Sequence, residues 1–354
     1  MSVLVRSPQA LTARWAQSVL EAASIQATVA GVRSESEEVG TTTRVRLRVD
    51  HDGPDDLPRR WFVKLPSGSW RAQAITALPQ LPQTEIRFYR DFADRVPVSR
   101  PRALAAVREL GRGYTLVLGD VTENGARPGA NGEALSAAQA ATVIDLLVRL
   151  HASHWEDPVL GGDLAWLAGP VRKLEDRLGT ALAVPLMRRG LRRAGEAVPA
   201  SLHGPALRYA RRRKQAMRIL AEGPQTIVHH DCHPGNLYWR GEEAGLLDWQ
   251  LVRIGEGVSD VAYMLATCLE PEVRRESEEE LLARYAQGLA EAGHPLDVSR
   301  LRTRYRAHMT YAFEAMVLTL AIGGLMTDAV AFEMVRRVAA AVEDQDAFGA
   351  IVRA

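Results

Sequence analysis

The stretch TIVHHDCHPGNLYW (226–239) places three histidines, an aspartate and a cysteine in five consecutive positions, His229 to His233. Two chemistries compete for it. Zinc favours His and Cys ligands, but five adjacent side chains cannot all face one ion, and no CxxC or HExxH motif supports them. The second pattern is H-x-D-x-x-x-x-N, from His229 to Asn236, followed twelve residues later by Asp248 in the apolar run GLLDWQ. Phosphoryl transfer asks for a carboxylate to receive the proton of the attacking hydroxyl, and for oxygen ligands to hold magnesium on the phosphates. Magnesium takes one or two carboxylates and keeps several waters. Asp231, Asn236 and Asp248 on two neighbouring loops meet that demand.

The rest of the chain narrows the choice. Its 354 residues can bury a large core and divide into about two lobes. Hydrophobic content of 47% and charged content of 25% are those of an ordinary globular protein. A net charge of +1 calls for neither nucleic acid nor a membrane surface as partner. Cys232 and Cys268 build no disulfide framework, the opening MSVLVRSPQALTARW lacks the pattern of a signal peptide, and the apolar run Ala315 to Met326 is too short to cross a bilayer. The expected location is cytoplasmic. Of 44 basic residues only Lys64, Lys173 and Lys214 are lysines, so each lysine stands out.

Periodicity gives the class. Ser7-Pro8 and the following QALTARWAQSVLEAA read as a capped helix with Leu11, Trp15, Val19 and Leu20 on one face. Val45, Leu47 and Val49 alternate with Arg44, Arg46 and Arg48 as a half-exposed strand; WFVKL (61–65) and YTLVLGDV (114–121) read as strands, and QTEIRFYRDFADRV (83–96) as a helix. From about Leu135 the pattern is helical, except for short apolar runs at 226–228 and 245–248. The expectation is an α+β protein in two lobes: 1–118, small, with an antiparallel sheet, and 119–354, larger and mainly helical.

VHHDCHPGNLYW with LLDWQ resembles the catalytic and metal-binding loops of the aminoglycoside phosphotransferase and choline kinase superfamily, small-molecule relatives of the protein kinases. LVRLHASHW (147–155) is similar to the helix this superfamily places before its catalytic loop, and GEGVSDVAYML (255–265) to its segment after the metal-binding aspartate. The opening LTARWAQSVL and closing AFEMVRRVAAAVEDQDAF resemble the ecdysteroid-kinase-like branch. The resemblance implies a bilobal protein-kinase-like fold with a helical basic insertion at about 156–222. It implies Asp231 as catalytic base, His229 bracing the loop, Asn236 and Asp248 on Mg2+, and Asp260 fixing the loop backbone. Asp260 also reads as an ordinary N-cap for a helix starting at Val261, Asp231 as a turn cap, and His230 and His233 as loop-packing residues.

A kinase also needs a lysine on a strand and a glutamate on the next helix. Lys64 is the only lysine in the first 172 residues, and Glu85 is its expected partner; an exposed acid at a helix start is the alternative for Glu85. Gly40, Thr41 and Thr42 are the candidate phosphate loop, which also reads as a plain hairpin turn. Leu118 and Gly119 are the candidate adenine-facing segment, with glycine at 119 where the branch often carries an acid. The expected donor is ATP or GTP.

Between Arg172 and Lys214 twelve basic residues face three acids, Glu175, Asp176 and Glu196, a balance of +9. Such a segment repels a polycationic acceptor and favours a hydroxylated small molecule that is neutral or anionic; a solvated arginine face is the plainer reading. An antibiotic-inactivating phosphotransferase and an inactive nucleotide- or metabolite-binding relative are the alternatives. Oligomeric state is not legible.

Overall fold

The computed structural model describes residues 2–40, 42–67, 81–109 and 111–353. The chain groups into two compact units, 1–128 with 247–251, and 129–246 with 252–354.

In the first unit, helix α1 (Ala13–Ala22) begins one turn later than the sequence implies. Thr12, not Ser7, caps it, its hydroxyl accepting from the Trp15 amide at 3.2 Å, while Ser7-Pro8 opens only a short 3-10 turn. Strands β1 (Val29–Val39), β2 (Thr42–His51), β3 (Arg60–Pro66), β4 (Ala103–Glu109) and β5 (Gly113–Gly119) form an antiparallel sheet in the order β1-β2-β3-β5-β4. The expected alternation sets its faces: Val45, Leu47 and Val49 are buried with Val63, Val117 and the α1 residues Trp15, Val19 and Leu20. Trp15 meets Trp61 edge-on at 6.1 Å. Helix α2 (Leu81–Asp91) follows β3 and packs on β4. A two-residue strand, β6 (Arg127–Pro128), ends the first stretch of this unit.

The second unit is mainly helical. Helix α3 (Ala137–Ala152) starts with a reciprocal capping box between Ser136 and Gln139. Helices α4 (Pro170–Ala194), α5 (Ala200–Arg211) and α6 (Arg213–Leu220) precede strand β7 (Gln225–Val228). Strands β8 (Leu237–Arg240) and β9 (Glu243–Leu246) form a hairpin, and β10 (Arg253–Glu256) returns antiparallel to β7. Helices α7 (Val258–Cys268), α8 (Pro271–Glu291), α9 (Val298–Ile322), α10 (Asp328–Asp344) and α11 (Ala347–Arg353) complete it. Helix α9 packs on α4, α7, α10 and α11 and is the spine of the unit, while all eleven residues of α7 are buried. Strands thus dominate the first third of the chain and helices the remainder, as the sequence pattern implies.

Candidate active site

In the first unit, β3 and α2 bring together two residues that lie 21 positions apart. Lys64 Nζ donates to both oxygens of Glu85, at 2.7 and 3.0 Å. The pair is buried, with 6% and 5% of each residue exposed, so Glu85 is not a solvent-facing helix-start acid. Asp248, which the chain returns to this unit, places Oδ1 3.2 Å from the same ammonium, and Arg44 stands 3.8 Å from its other oxygen. Burial opposes the charge on Lys64, but the Asp248 and Glu85 carboxylates outweigh it and hold its pKa above the ordinary lysine value. Burial, reinforced by the charge of Asp248, pushes the Glu85 carboxyl up against the pull of Lys64. Two carboxylates therefore share one ammonium. Asp248 also has a positive φ of 57°, a conformation costly for a non-glycine residue and concentrated at functional sites. The next residue, Trp249, stacks on Phe88 of α2 at 4.3 Å and anchors that turn.

The turn between β1 and β2 is held at Gly40, whose amide donates to the Thr42 carbonyl at 3.0 Å and whose carbonyl accepts from Ser67 Oγ at 2.8 Å. Thr42 is buried, and among the described residues its hydroxyl finds no hydrogen-bond partner. Thr41 lies outside the described residues. Leu118 and Gly119 close β5 opposite Phe62 and Trp61. The Gly119 amide donates to the Arg102 carbonyl at 2.8 Å, and a Cβ there would come within 2.9 Å of Pro58. That close approach accounts for glycine at this position. The acid falls one residue later: Asp120 accepts from Arg46 Nε at 2.9 Å and from the amide and hydroxyl of Thr122.

In the second unit, the loop after β7 is pinned from behind. The fully buried Asp260 accepts from the amides of His229 and His230, each at 2.7 Å, and its Oδ2 lies 3.2 Å from His151 Nε2. The other ring nitrogen of His151 meets Tyr285 Oη at 2.9 Å, and the His151 carbonyl accepts from Thr226 Oγ1 at 2.6 Å. Helix α7 begins at Val258, so Asp260 lies within its first turn and is not its N-cap.

The five side chains of HHDCH diverge. His229 is fully buried. His230, at φ 68°, stacks on Tyr311 with ring centroids 4.2 Å apart and approaches Arg253 at 3.3 Å. Burial of its ring, with the charges of Arg253 and Arg172, holds its pKa well below the usual histidine value. Cys232 is buried, which pushes its thiol pKa well up. His233 accepts from the Gly235 amide at 3.1 Å. Among the described residues no three His, Cys, Asp or Glu side chains gather as a metal cluster.

Asp231 is held on two sides. Its Oδ2 accepts from Asn236 Nδ2 at 3.0 Å, and its Oδ1 from Tyr263 Oη at 3.0 Å. Asn236 Nδ2 also donates to the Asp231 carbonyl at 2.9 Å, so both described side-chain bonds of Asn236 use the amide nitrogen. Burial and the Asp231 charge hold the Tyr263 phenol pKa well above the usual value, which keeps it a donor.

A family model described as the phosphotransferase enzyme family matches residues 39–303, most of the chain. The chain belongs to the phosphotransferase enzyme family. Among solved structures it is similar to a GDP complex of an aminoglycoside 2'-phosphotransferase-IIIa, at 12% identity over 94% of this chain and 97% of that one, with a TM-score of 0.50. It is also similar to a microcompartment-associated aminopropanol kinase (14% identity, 90% and 94% covered, TM-score 0.48) and to a choline kinase from Streptococcus pneumoniae (14%, 94% and 99%, 0.46). No curated protein matches the chain. The α+β, protein-kinase-like fold expected from the sequence is the fold of this phosphotransferase. Tyr263, Arg44 and the His151–Tyr285 pair were not among the residues expected from sequence. Tyr263 lies three residues after Asp260 on α7, a helical spacing that turns both side chains toward the same loop.

Proposed function

We propose that this phosphotransferase moves the γ-phosphate of ATP to a hydroxyl of a neutral or anionic small molecule. The observation that carries the reading is Lys64, a lysine in an arginine-dominated chain, buried against Glu85 and Asp248. In kinases a lysine–glutamate pair of this kind orients the nucleotide phosphates. Asp231 is the proposed base, its carboxylate oriented by Asn236 and Tyr263 toward an acceptor hydroxyl. His229 is the proposed brace of the loop, its backbone amide donating a hydrogen bond to the Asp260 carboxylate. Thr42 offers an unsatisfied hydroxyl to phosphate, in the turn that the Gly40 backbone holds; Thr41, the third residue of the proposed phosphate loop, lies outside the described residues. Leu118 and Gly119 remain the proposed adenine-facing segment.

The resemblance assigns magnesium to Asp248 and Asn236, and each carries the hard oxygen that magnesium takes: Asp248 a carboxylate, and Asn236, its amide nitrogen turned to Asp231, a carbonyl oxygen. When bound, magnesium neutralises charge on the phosphates. The charge of the basic segment is what favours a neutral or anionic acceptor: Lys173, Arg177, Arg188, Arg189 and Arg192 on α4 are exposed and would repel a polycation, whereas Arg172 and Arg213 are buried. GTP remains in the comparison of donors because the aminoglycoside relative is a GDP complex. The ecdysteroid-kinase-like branch rests on the terminal segments quoted above alone.

The test is a screen of hydroxylated acceptors scored by ADP or GDP release, run on wild type, Asp231→Ala and Asp248→Ala. Asp231→Ala is expected to abolish transfer while nucleotide still binds, and Asp248→Ala to weaken magnesium-dependent nucleotide binding. Wild-type turnover in Asp231→Ala would remove the proposed base.

A further inference from the structure

Helices α5, α6 and α11 line a half-open hollow of about 360 Å3, apart from the residues assigned to the candidate site. Its volume falls within the roughly 300–1,000 Å3 of small-molecule sites. The walls are apolar and aromatic: Tyr209, Ala216, Ile219, Phe348 and Ile351. Tyr209 is fixed from behind, its hydroxyl donating to Glu314 at 2.8 Å, and its ring lies 5.8 Å from that of Phe348, which in turn meets Phe313 edge-on at 5.6 Å. The aromatic wall is therefore built into the core of the unit.

Charge decides what such a cavity accepts. Arg208 and Arg212, one helical turn apart, both line it and are exposed; among the described residues neither guanidinium makes an ion pair or hydrogen bond. The neighbouring Arg213 differs, being buried against Glu314 at 2.5 Å. The one acid lining the cavity, Asp346, is engaged by Arg353 at 2.9 Å. An apolar hollow is thus edged by two cations whose forks are open to a carboxylate or phosphate.

We propose that this cavity binds a soluble anionic amphiphile, one carboxylate or phosphate head on an apolar body, with Arg208 and Arg212 on the head and Tyr209, Ile219 and Phe348 on the body. Arg208 and Arg212 belong to the basic segment, but they lie on α5 and at its C-cap, away from the α4 cations invoked for the acceptor, and no residue of this site has a role in the proposed phosphotransfer.

Octyl phosphate and octanoate, below their micelle concentrations, serve as probes in calorimetric titrations of the whole chain, with octanol and octyltrimethylammonium as controls. Wild type is expected to bind both anions and to bind octanol and the cation at least tenfold more weakly. Replacing both exposed arginines (Arg208→Ala with Arg212→Ala) should weaken anion binding tenfold or more without changing the melting temperature. Ala216→Trp, which fills the hollow, should abolish binding of either probe. Unchanged affinity in the double arginine variant overturns the proposal, as does displacement of the probe by ATP with magnesium, which would place it in the nucleotide site. Binding seen only on phosphatidylglycerol vesicles also overturns it, in favour of a lipid surface.

Discussion

Replacing Asp260 by asparagine tests whether this residue holds the loop after β7 or merely favours a helix terminus. Its two oxygens receive two backbone amides and face a histidine nitrogen, all in a fully buried setting. A carboxamide has one acceptor oxygen. Whichever way it turns, the amide of either His229 or His230 then faces an N–H2 group. The variant loses one charge-assisted hydrogen bond, worth about 1.5–3 kcal/mol, and leaves a buried donor unsatisfied, so the expected cost is about 2–4 kcal/mol. An acid acting only on the dipole of α7 would contribute about 0.3–1 kcal/mol. Urea unfolding of wild type and variant separates the two cases, against a total stability of about 5–15 kcal/mol. Tyr285→Phe, which removes the outer bond to His151, should cost about 1 kcal/mol, and the double variant should cost less than the sum because His151 links both sites. A loss under 0.5 kcal/mol for Asp260→Asn would refute the pinning of the loop.

Lys64→Met leaves two carboxylates without their shared ammonium and should cost about 3–5 kcal/mol in urea unfolding, together with all nucleotide-dependent turnover. A stability change below 1 kcal/mol would contradict a buried cluster. His230 gives a pH dependence. Because its folded pKa is depressed, below about pH 6.5 the unfolded chain binds a proton that the folded chain does not. Stability should therefore fall as pH drops through that range, by up to about 1.4 kcal/mol per unit from this group, and His230→Gln should flatten the slope. Cys232 and Cys268 are both buried, with burial pushing the Cys268 thiol up to about 12 and Cys232 well above its usual value. Ellman's reagent at pH 8 should find no rapidly reacting thiol in the folded protein and two after denaturation; a fast thiol in the native state would contradict this packing.

What could be read in the sequence follows from how far apart the cooperating groups lie. Asp231 and Asn236 are five residues apart on one loop, so their spacing is written in the chain. Lys64 and Glu85 are only 21 residues apart, and the arginine bias makes the lysine conspicuous. Val45, Leu47 and Val49 show their buried face by alternation. Strand β1 does not, because Ser34, Glu35 and Ser36 break any apolar alternation; only Val29 and Val32 pack on the core, and pairing with β2 defines the rest. Buried polar groups that meet over long stretches of chain are the least legible. His151 and Tyr285 meet across 134 residues, and Glu256 gathers Arg304 Nε at 2.8 Å and His308 Nε2 at 2.8 Å from about fifty residues away. No periodicity encodes such meetings, which arise only when α3, α8 and α9 are packed. Yet a buried polar group cannot stay unpaired without cost. A charged residue in an otherwise apolar helix therefore announces a partner without naming it. Asp260, the only charged residue in α7, is that case: the sequence marks it as tied to something, and the fold supplies the two amides of the loop.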